Sequence, residues 1–335
     1  MSDRAARIAE TVLYEGYLLW PYRRSALKNQ ARWTFGAVFP PAWNARHPDD
    51  AATMRTQCLL QADGEADVDA TVRFLQVVDR RVAEVTPAGP RFADEVEVAG
   101  ERLLAWEEAT EREVVTTVAE GGTTIDVPAA SAREPVAGGA ALIERSWAQL
   151  DGRVEVGCER LGPGLHRLTV TVANTSPWEG DARRGALGRA FVSTHTVLHA
   201  RGGAFASLMA PPAELADAAA ACANDGTYPV LVGEPGDRTT MLSSPIILYD
   251  HPEIAPESAG DLFDATEIDG LLVLSVLSLS EEEQREVRAS DPRAREILDR
   301  CAGLSPEELR RLHGTIRELG ACAQGAKHPG IGEAR

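Results

Sequence analysis

The spacing of apolar residues changes along the chain and predicts three kinds of structure in succession. Residues 3–19 carry apolar side chains at helical spacing, and Ser2 or Asp3 can cap their N-terminus. From about residue 55 to 209 the apolar period is two, which is typical of β-strands. After residue 280 the pattern is helical again. The apolar positions of the first helix are Ala5, Ile8, Ala9, Val12 and Leu13.

The middle region reads as several short strands joined by turns. The clearest segments are 70–78, 112–119, 152–161 and 165–177. In the last of these, alternate residues share one face, so we expect that face to be buried. Its members are His166, Leu168, Val170 and Val172. The sequence LGPG joins the last two segments as a hairpin turn would. We therefore expect an antiparallel sandwich or barrel, with residues 121–140 forming an exposed loop rich in small residues.

The final third predicts a mixed region that ends in helices. Residues 211–225 are alanine-rich, with Pro212 near the first helical position, and residues 270–280 form a buried strand or, alternatively, a helix. Three capped helices follow Ser280, Ser290 or Asp291, and Ser305. The predicted fold class is thus α+β. We divide the chain into 1–54 (N-terminal helix and arm), 55–209 (antiparallel β domain), 210–320 (mixed, ending in helices) and 321–335 (flexible tail).

Charge is distributed unevenly and restricts the class of partner. The 335 residues carry a formal net charge of −17. Residues 1–56 hold eight Arg and Lys against five Asp and Glu, a net charge of +3, so the remainder carries −20. A negative field of this size repels nucleic acid and anionic lipid, so we expect neither as a partner. No apolar run reaches the ~18–20 residues of a membrane span.

Cysteine usage and the N-terminus predict a cytoplasmic protein. The first residues contain no apolar stretch of the kind that a signal peptide requires. The five cysteines are odd in number, and no two are spaced as a C-x-x-C pair. We therefore expect free thiols in a reducing compartment.

Residues 13–40 concentrate aromatic and positive side chains in an otherwise acidic chain. Aromatic residues and arginine are enriched at the energetic centres of protein interfaces. The segment is either an arm pinned to the β domain by its aromatic rings, or an arm that binds a partner or covers the partner-binding cleft. The residues predicted to bind a partner are Trp20, Tyr22, Arg23, Arg24, Lys28, Asn29 and Arg32.

Two groups of residues could hold a metal ion. His195 and His199 share a face, but on a strand they stand about 13 Å apart, since each residue advances ~3.3 Å. Residues 243–270 collect carboxylates around Asp250 and His251, which could bind a hard cation or support acid–base chemistry. The competing interpretations are ordinary core or interface histidines and, for the acidic segment, a surface loop or a protein-docking surface. The glycine-containing segment 233–238 lacks a phosphate-binding signature and predicts a tight turn.

Two strings of the sequence resemble a known family. LYEGYLLWPYRRSALKNQARWTFG and SSPIILYDHPEIAPESAGDLFDATEIDG look like a bacterial family associated with gene clusters of oxygen-tolerant uptake NiFe hydrogenases in actinobacteria and their relatives. The family's motifs carry no known chemistry, so the resemblance transfers no catalytic residue. It implies an accessory or assembly role around a hydrogenase.

The resulting functional hypothesis is a non-enzymatic accessory protein that binds a hydrogenase subunit or a maturation intermediate. No cofactor is predicted. The alternative hypothesis is a metal-dependent enzyme that uses the acidic segment 250–269 together with a histidine.

Overall fold

The computed structural model describes residues 3–14, 36–64 and 67–253, and these contain four α-helices and fifteen β-strands. The helices are α1 (Asp3–Tyr14), α2 (Pro41–Asn44), α3 (Arg183–Leu187) and α4 (Ala216–Ala220). The strands are β1 (Thr53–Gln61), β2 (Asp67–Thr86), β3 (Gly89–Ala93), β4 (Glu95–Val98), β5 (Glu101–Leu104), β6 (Trp106–Thr117), β7 (Gly122–Val127), β8 (Ala130–Val136), β9 (Ala141–Trp147), β10 (Leu150–Gly162), β11 (Leu165–Asn174), β12 (Val192–Arg201), β13 (Ala204–Phe205), β14 (Tyr228–Leu231) and β15 (Thr240–Ser244).

Two antiparallel sheets face each other and form a sandwich. The first sheet has the strand order β13-β1-β11-β10-β7. The second has the order β14-β15-β12-β2-β9-β8, with β6 and β3 also paired to β2. Strands β14 and β15 lie beyond residue 209 and extend the second sheet next to β12. The expected antiparallel β core is confirmed for the described residues.

The main core lies between the two sheets. Alternate residues of β11 point into it, as their period of two predicts: His166, Leu168, Val170 and Val172 are all buried. Alternate residues of β2 meet them from the second sheet, and the rings of Phe74 and Phe191 lie 4.7 Å apart. The hairpin predicted at LGPG is also confirmed, since β10 ends at Gly162 and β11 begins at Leu165.

Helix α1 covers part of the outer face of the second sheet. Its apolar stripe is formed by Ala5, Ile8, Ala9 and Val12, which pack against Val197, Val230, Val232 and Leu242. The next apolar residue, Leu13, is fully buried in a neighbouring cluster with Phe39 and Trp43. All five apolar positions predicted for this helix are therefore buried.

Strand β2 is 20 residues long and extends beyond the sandwich. Its first part pairs with β12 on one edge and β6 on the other. From about Asp79 onward it pairs instead with β9, and from Val82 with β3. This second part, together with β3, β4, β5, β8 and β9, forms a lobe beside the sandwich. The lobe has a small apolar cluster of its own around Val82.

Two expectations about local structure are wrong. Residues 121–140 are not a loop, because they contain strands β7 and β8. Strand β8 is exposed along almost its whole length, so it lacks the apolar alternation that would have revealed it. The helix expected over 211–225 is short: a 3-10 turn at 213–215 leads into α4, which ends at Ala220.

Several expectations lie outside the described residues. They are the continuation of the first helix to residue 19, the strand at 270–280, the three C-terminal helices and the tail. Within the described part of the chain, no helix has the length and apolar character needed to cross a membrane.

Candidate functional site

A concave surface lies where the sandwich meets the lobe. Its floor is the outer face of the second sheet, where three strands run side by side. Asp79 of β2 stands opposite Glu107 of β6 on one edge and Ser146 of β9 on the other. Because paired residues in an antiparallel sheet point to the same face, these three side chains form one polar row across the floor. Val77 and Arg81 lie on the same face, one row to either side.

Helix α3 forms one wall of this surface. Its apolar side holds it in place, since Ala186 and Leu187 are buried in the cluster that also contains Val77. Its polar side places Arg184 over the floor, where Nε donates to Glu107 Oε1 and Nη2 donates to Asp79 Oδ1 at 3.4 Å. These contacts tie the wall to the floor.

The neighbouring Arg183 is fixed from the other direction. Its Nη1 and Nη2 atoms donate to the two carboxylate oxygens of Asp50, each at 3.0 Å. Its guanidinium also lies 4.9 Å from the centre of the Phe39 ring, within the range of a cation–π contact. Both contacts limit the motion of this arginine, so the wall presents an ordered positive edge.

The opposite side is formed by the end of β3 and the residues that flank the β4–β5 hairpin. The Arg81 guanidinium lies 3.9 Å above the ring of Phe92 and 3.5 Å from Glu144. Together the walls and floor enclose a cleft of about 1250 Å³. The residues that line it are Val77, Asp79, Arg80, Arg81, Phe92, Ala93, Asp94, Ala105, Trp106, Glu107, Ser146, Trp147, Ala148, Ala182, Arg183, Arg184, Gly185, Leu187 and Gly188.

The cleft carries charges of both signs. The side chains of Arg81, Arg183 and Arg184 face it together with the carboxylates of Asp79, Asp94 and Glu107. The hydrogen bond to Glu107 holds the pKa of Arg184 above its usual value. Arg184 remains 73% exposed, whereas Glu107 is only 16% exposed. The positive partner of the pair is therefore the one that an approaching molecule meets.

A network of ion pairs on the other face of the sheet keeps the floor in position. Glu108 accepts a hydrogen bond from Arg145 Nε at 2.7 Å, and its carboxylate lies 3.6 Å from Arg80 Nε. Arg145 also donates to Glu134 of β8 at 2.7 Å. These bonds raise the pKa of Arg145, chiefly through Glu108. Strands β2, β6, β9 and β8 are thus cross-linked by charge beneath the cleft.

The residues predicted to bind a partner, Trp20 to Arg32, lie outside the described residues. Both ends of their segment are described and pack on the second sheet. Leu13 is fully buried, and Val38 exchanges two backbone hydrogen bonds with Phe191, at 2.9 and 3.0 Å. Gly36 accepts a further bond from the backbone N–H of Thr194.

His195 and His199 lie on β12, as their flanking sequence predicted, and make separate contacts. His195 is fully buried under α1, and its Nδ1 lies 3.0 Å from the carbonyl oxygen of Ser193. That contact places the proton on Nδ1. Burial lowers the pKa of His195 to about 4, so the ring is neutral at pH 7. The Nδ1 of His199 instead meets Thr240 Oγ1 at 3.1 Å.

Asp250 and His251 hold the end of the described chain against β14. Asp250 accepts a hydrogen bond from the Leu231 backbone N–H at 2.8 Å and another from the Ser207 hydroxyl. The His251 backbone N–H donates to the Leu231 carbonyl at 2.7 Å. The rest of the acidic segment, 254–269, lies outside the described residues. Among those described, no group of three or more His, Cys, Asp or Glu side chains is arranged to hold a metal ion.

The glycine-containing segment 233–238 forms the turn between β14 and β15, as predicted. The Asp237 backbone N–H donates to the Glu234 carbonyl at 2.8 Å, which closes the turn. Asp237 in turn accepts from the backbone and hydroxyl of Thr239, and these bonds lower its pKa. The carboxylate is used to build the turn.

The described cysteines are free thiols. Cys58 is buried in the main core, while Cys158 and Cys222 are partly buried. Burial raises the pKa of all three thiols, so they are protonated at neutral pH. Cys301 and Cys322 lie outside the described residues.

Comparison of the chain with protein-family models and with curated proteins gives no match. The cleft is therefore interpreted from its own geometry. Sequence reasoning did not find it, because five separate stretches of the chain supply its lining. The one signal that pointed to it is local: Arg183 and Arg184 are adjacent and fall in a short polar segment between two strands.

Proposed function

We propose that this protein is a non-enzymatic accessory protein that binds another protein, and that the cleft between sandwich and lobe receives a segment of that partner. The observation that carries the proposal is the combination of an ordered arginine edge, an apolar patch and a large open volume at one place. Arginine and aromatic side chains dominate the energetics of protein interfaces, and here Arg81 is already stacked on Phe92.

The size of the cleft supports a polymer segment over a small ligand. Small-molecule sites in proteins usually measure ~300–1000 Å³ and surround most of their ligand. This cleft measures about 1250 Å³ and lies open between two structural units. An extended stretch of chain would fill it along its length, with side chains meeting the floor and both walls.

The partner we propose is a NiFe hydrogenase subunit or one of its maturation intermediates. This part of the proposal rests on the resemblance of residues 13–36 and 243–270 to the hydrogenase-associated family. The second of these strings begins at the end of β15 in the second sheet, the same sheet whose outer face forms the floor of the cleft.

The test fills the cleft without disturbing the core. Ala182 is exposed at the start of α3 and lines the cleft, so Ala182→Trp places a large ring in the binding volume. The matched control is Ala88→Trp, at an exposed position in the β2–β3 turn away from the cleft. We expect wild type and Ala88→Trp to form a complex with the purified hydrogenase subunits in size-exclusion chromatography, and Ala182→Trp to lose it. Equal binding by all three proteins would contradict the role of the cleft.

Metal analysis of the purified protein separates this proposal from the alternative. A binding protein of this kind needs no bound metal for partner capture, so chelation should leave the complex intact. Stoichiometric metal, together with loss of the complex after chelation, would favour a metal-dependent role for the acidic segment 250–269.

A further inference from the structure

The described residues expose six large apolar side chains, and four of these lie together at one edge of the second sheet. Tyr228 is the first residue of the edge strand β14 and stands opposite Ser244, the last residue of β15. Met209 belongs to the same place, because its backbone N–H donates to Ser207 Oγ, and that hydroxyl donates to Asp250. The six side chains are those of Val85, Val115, Met209, Tyr228, Ile247 and Tyr249.

The other two members of the group, Ile247 and Tyr249, lie on a segment that runs beside β14. The chain leaves β15 at Ser244 and returns to the far end of β14, where the His251 backbone N–H donates to the Leu231 carbonyl at 2.7 Å. The segment therefore passes along the whole length of β14.

Alternate side chains of this segment point in opposite directions. Ile246 and Leu248 pack inward on the apolar cluster beneath α1. Ile247 and Tyr249, one residue further along in each case, are 71% and 81% exposed. The inward pair anchors the segment, so the outward pair is held at a fixed place. We call the four exposed side chains of this edge, Met209, Tyr228, Ile247 and Tyr249, the edge patch.

The edge patch has the composition of a contact surface. Single apolar side chains are common on protein surfaces, but a group of large ones marks a site of interaction. Tyrosine and methionine are also enriched where protein surfaces meet. We propose that the edge patch is covered by this chain's own residues 270–280. The proposal goes beyond the function assigned to the cleft, which is built on β2, β6 and β9 and not on the edge strand β14.

The composition of residues 270–280 fits an apolar surface. The described part of the chain ends at residue 253, so 270–280 lies outside it. Its sequence GLLVLSVLSLS contains seven Leu and Val residues and is the longest stretch without a charged residue between 254 and 335. Such a run gains stability only when its side chains leave water. The edge patch offers large apolar side chains that gain stability from cover in the same way.

The position at which the described chain ends favours this occupant over a second molecule. Residue 253 is four residues beyond Tyr249, so the remaining chain leaves from the edge patch itself. The 16 residues 254–269 reach as far as ~50 Å when extended, and their five carboxylates favour water over an apolar surface. A segment tethered by so short a connection has a local concentration in the millimolar range, far above that of a separate partner.

Photo-cross-linking tests the contact in the full chain. Tyr249 is replaced by the photoreactive residue p-benzoylphenylalanine, and in a matched control the exposed Val115 of β6 is replaced in the same way. After irradiation, the protease Asp-N cleaves before Asp250 and Asp269 and so separates position 249 from residues 270–280. We expect mass spectrometry to find links within one chain from position 249 to 270–280, and none to that segment from position 115. Links that join two chains, links from position 249 only to other segments, or no link at all would each overturn the proposal.

Hydrogen exchange of residues 270–280 provides a second measurement. Ile247→Ser combined with Tyr249→Ser should speed exchange in this segment about tenfold over wild type, because both side chains are exposed and contribute only to the contact with it. Val115→Ser should leave the exchange unchanged, and unchanged exchange in β12 shows that the sandwich remains folded. Rapid exchange already in wild type, or equal exchange in all three proteins, would contradict the proposal. Neither measurement involves the hydrogenase subunits, so its failure leaves the proposed function of the cleft untouched.

Discussion

The two parts of strand β2 are held by different forces, although they belong to one continuous strand. In the first part, Val68, Ala70, Val72 and Phe74 point into the main core and are almost completely buried. In the second part, Asp79 pairs with Arg184 of α3, and Arg80, Arg81 and Glu84 carry charges that pair with neighbouring strands. The first part depends on apolar burial, and the second depends on matched charge with one small apolar cluster.

This difference explains where the cleft can form. A close-packed core leaves little space that a ligand could enter, because each side chain touches neighbours on all sides. A sheet cross-linked by ion pairs can be stable while one face stays open to solvent. The cleft therefore lies at the boundary, with Val77 from the apolar part and Arg81 from the charged part on its floor.

The largest expected effect tests the apolar part. Phe74→Ala removes a fully buried ring that packs on Phe191, so it should lower the free energy of unfolding by about 3–5 kcal/mol. Urea denaturation measures this change. The control is Val115→Ala on the adjacent strand β6, where the side chain is 56% exposed and the loss should be at most about 0.5 kcal/mol. Similar losses of stability in the two variants would show that burial in the main core does not determine how much a side chain contributes.

The next effect concerns the titratable group buried beside the apolar part. The pKa of His195 falls from its ordinary 6.5 to about 4 on folding, because burial disfavours the charged ring. The unfolded chain therefore binds a proton at a higher pH than the folded protein does. Stability is fully present above pH 6.5 and should fall by about 3 kcal/mol as the pH is lowered to 4.

The variant His195→Asn isolates this contribution from those of the other histidines. Its side-chain amide can still donate to the Ser193 carbonyl, but it does not titrate. Urea denaturation at pH 7 and pH 4.5 should show a smaller loss of stability for the variant than for wild type. The same pH dependence in both proteins would contradict a neutral, buried His195.

A smaller effect is expected from the charged part. Glu108→Gln removes the carboxylate shared by Arg80 and Arg145, but Arg145 keeps Glu134. Loss of a covered charge partner is costly, although the partial exposure of Arg145 reduces the penalty, so we expect about 1–2 kcal/mol. Compared with wild type, hydrogen exchange in the variant should accelerate more in β8 and β9 than in β10 and β11. Uniform acceleration across both sheets would show that the lobe is not a separate unit of stability.

The smallest effect sharpens the distinction between covered and exposed pairs. Arg91 and Glu84 form an ion pair on the surface of the lobe, where their side chains are 76% and 44% exposed. Arg91→Gln should change the free energy of unfolding by at most about 0.5 kcal/mol, because water screens such pairs. Thermal unfolding at low and high salt provides the measurement. A loss comparable to that of Glu108→Gln would show that solvent exposure does not determine how much an ion pair contributes to stability.

Period-two alternation predicted the strands that have one buried and one exposed face. β11 is the clearest case, since its alternate residues are buried as expected. Strand β8 could not be found in this way, because its sequence ASAREPV is exposed. It is held by backbone pairing with β9 and by the hydrogen bond that Arg133 donates to Glu144. An edge strand of this kind has no apolar signal of its own.

Local sequence patterns could not predict the cleft, for a different reason. Asp79, Glu107 and Ser146 meet only because β2 pairs with β6 and β9, and α3 reaches them from more than 30 residues further along the chain. Such proximity is set by strand register, which depends on the whole sheet. The histidine pair shows the converse. Strand geometry alone predicted that His195 and His199 would share a face of a strand, and both lie on β12, where each contacts a different partner.

The length of β2 also affects the order in which its two parts can pair while the protein is being synthesised. Every strand of the lobe has been synthesised once residue 147 is added, whereas the sandwich needs β11, β12 and β15, which end at residues 174, 201 and 244. Chains emerge from the ribosome N-terminus first, and pairings between distant residues form late. The charged part of β2 can therefore find its strand partners during translation, while the apolar residues of β2 stay uncovered until β11 packs against them.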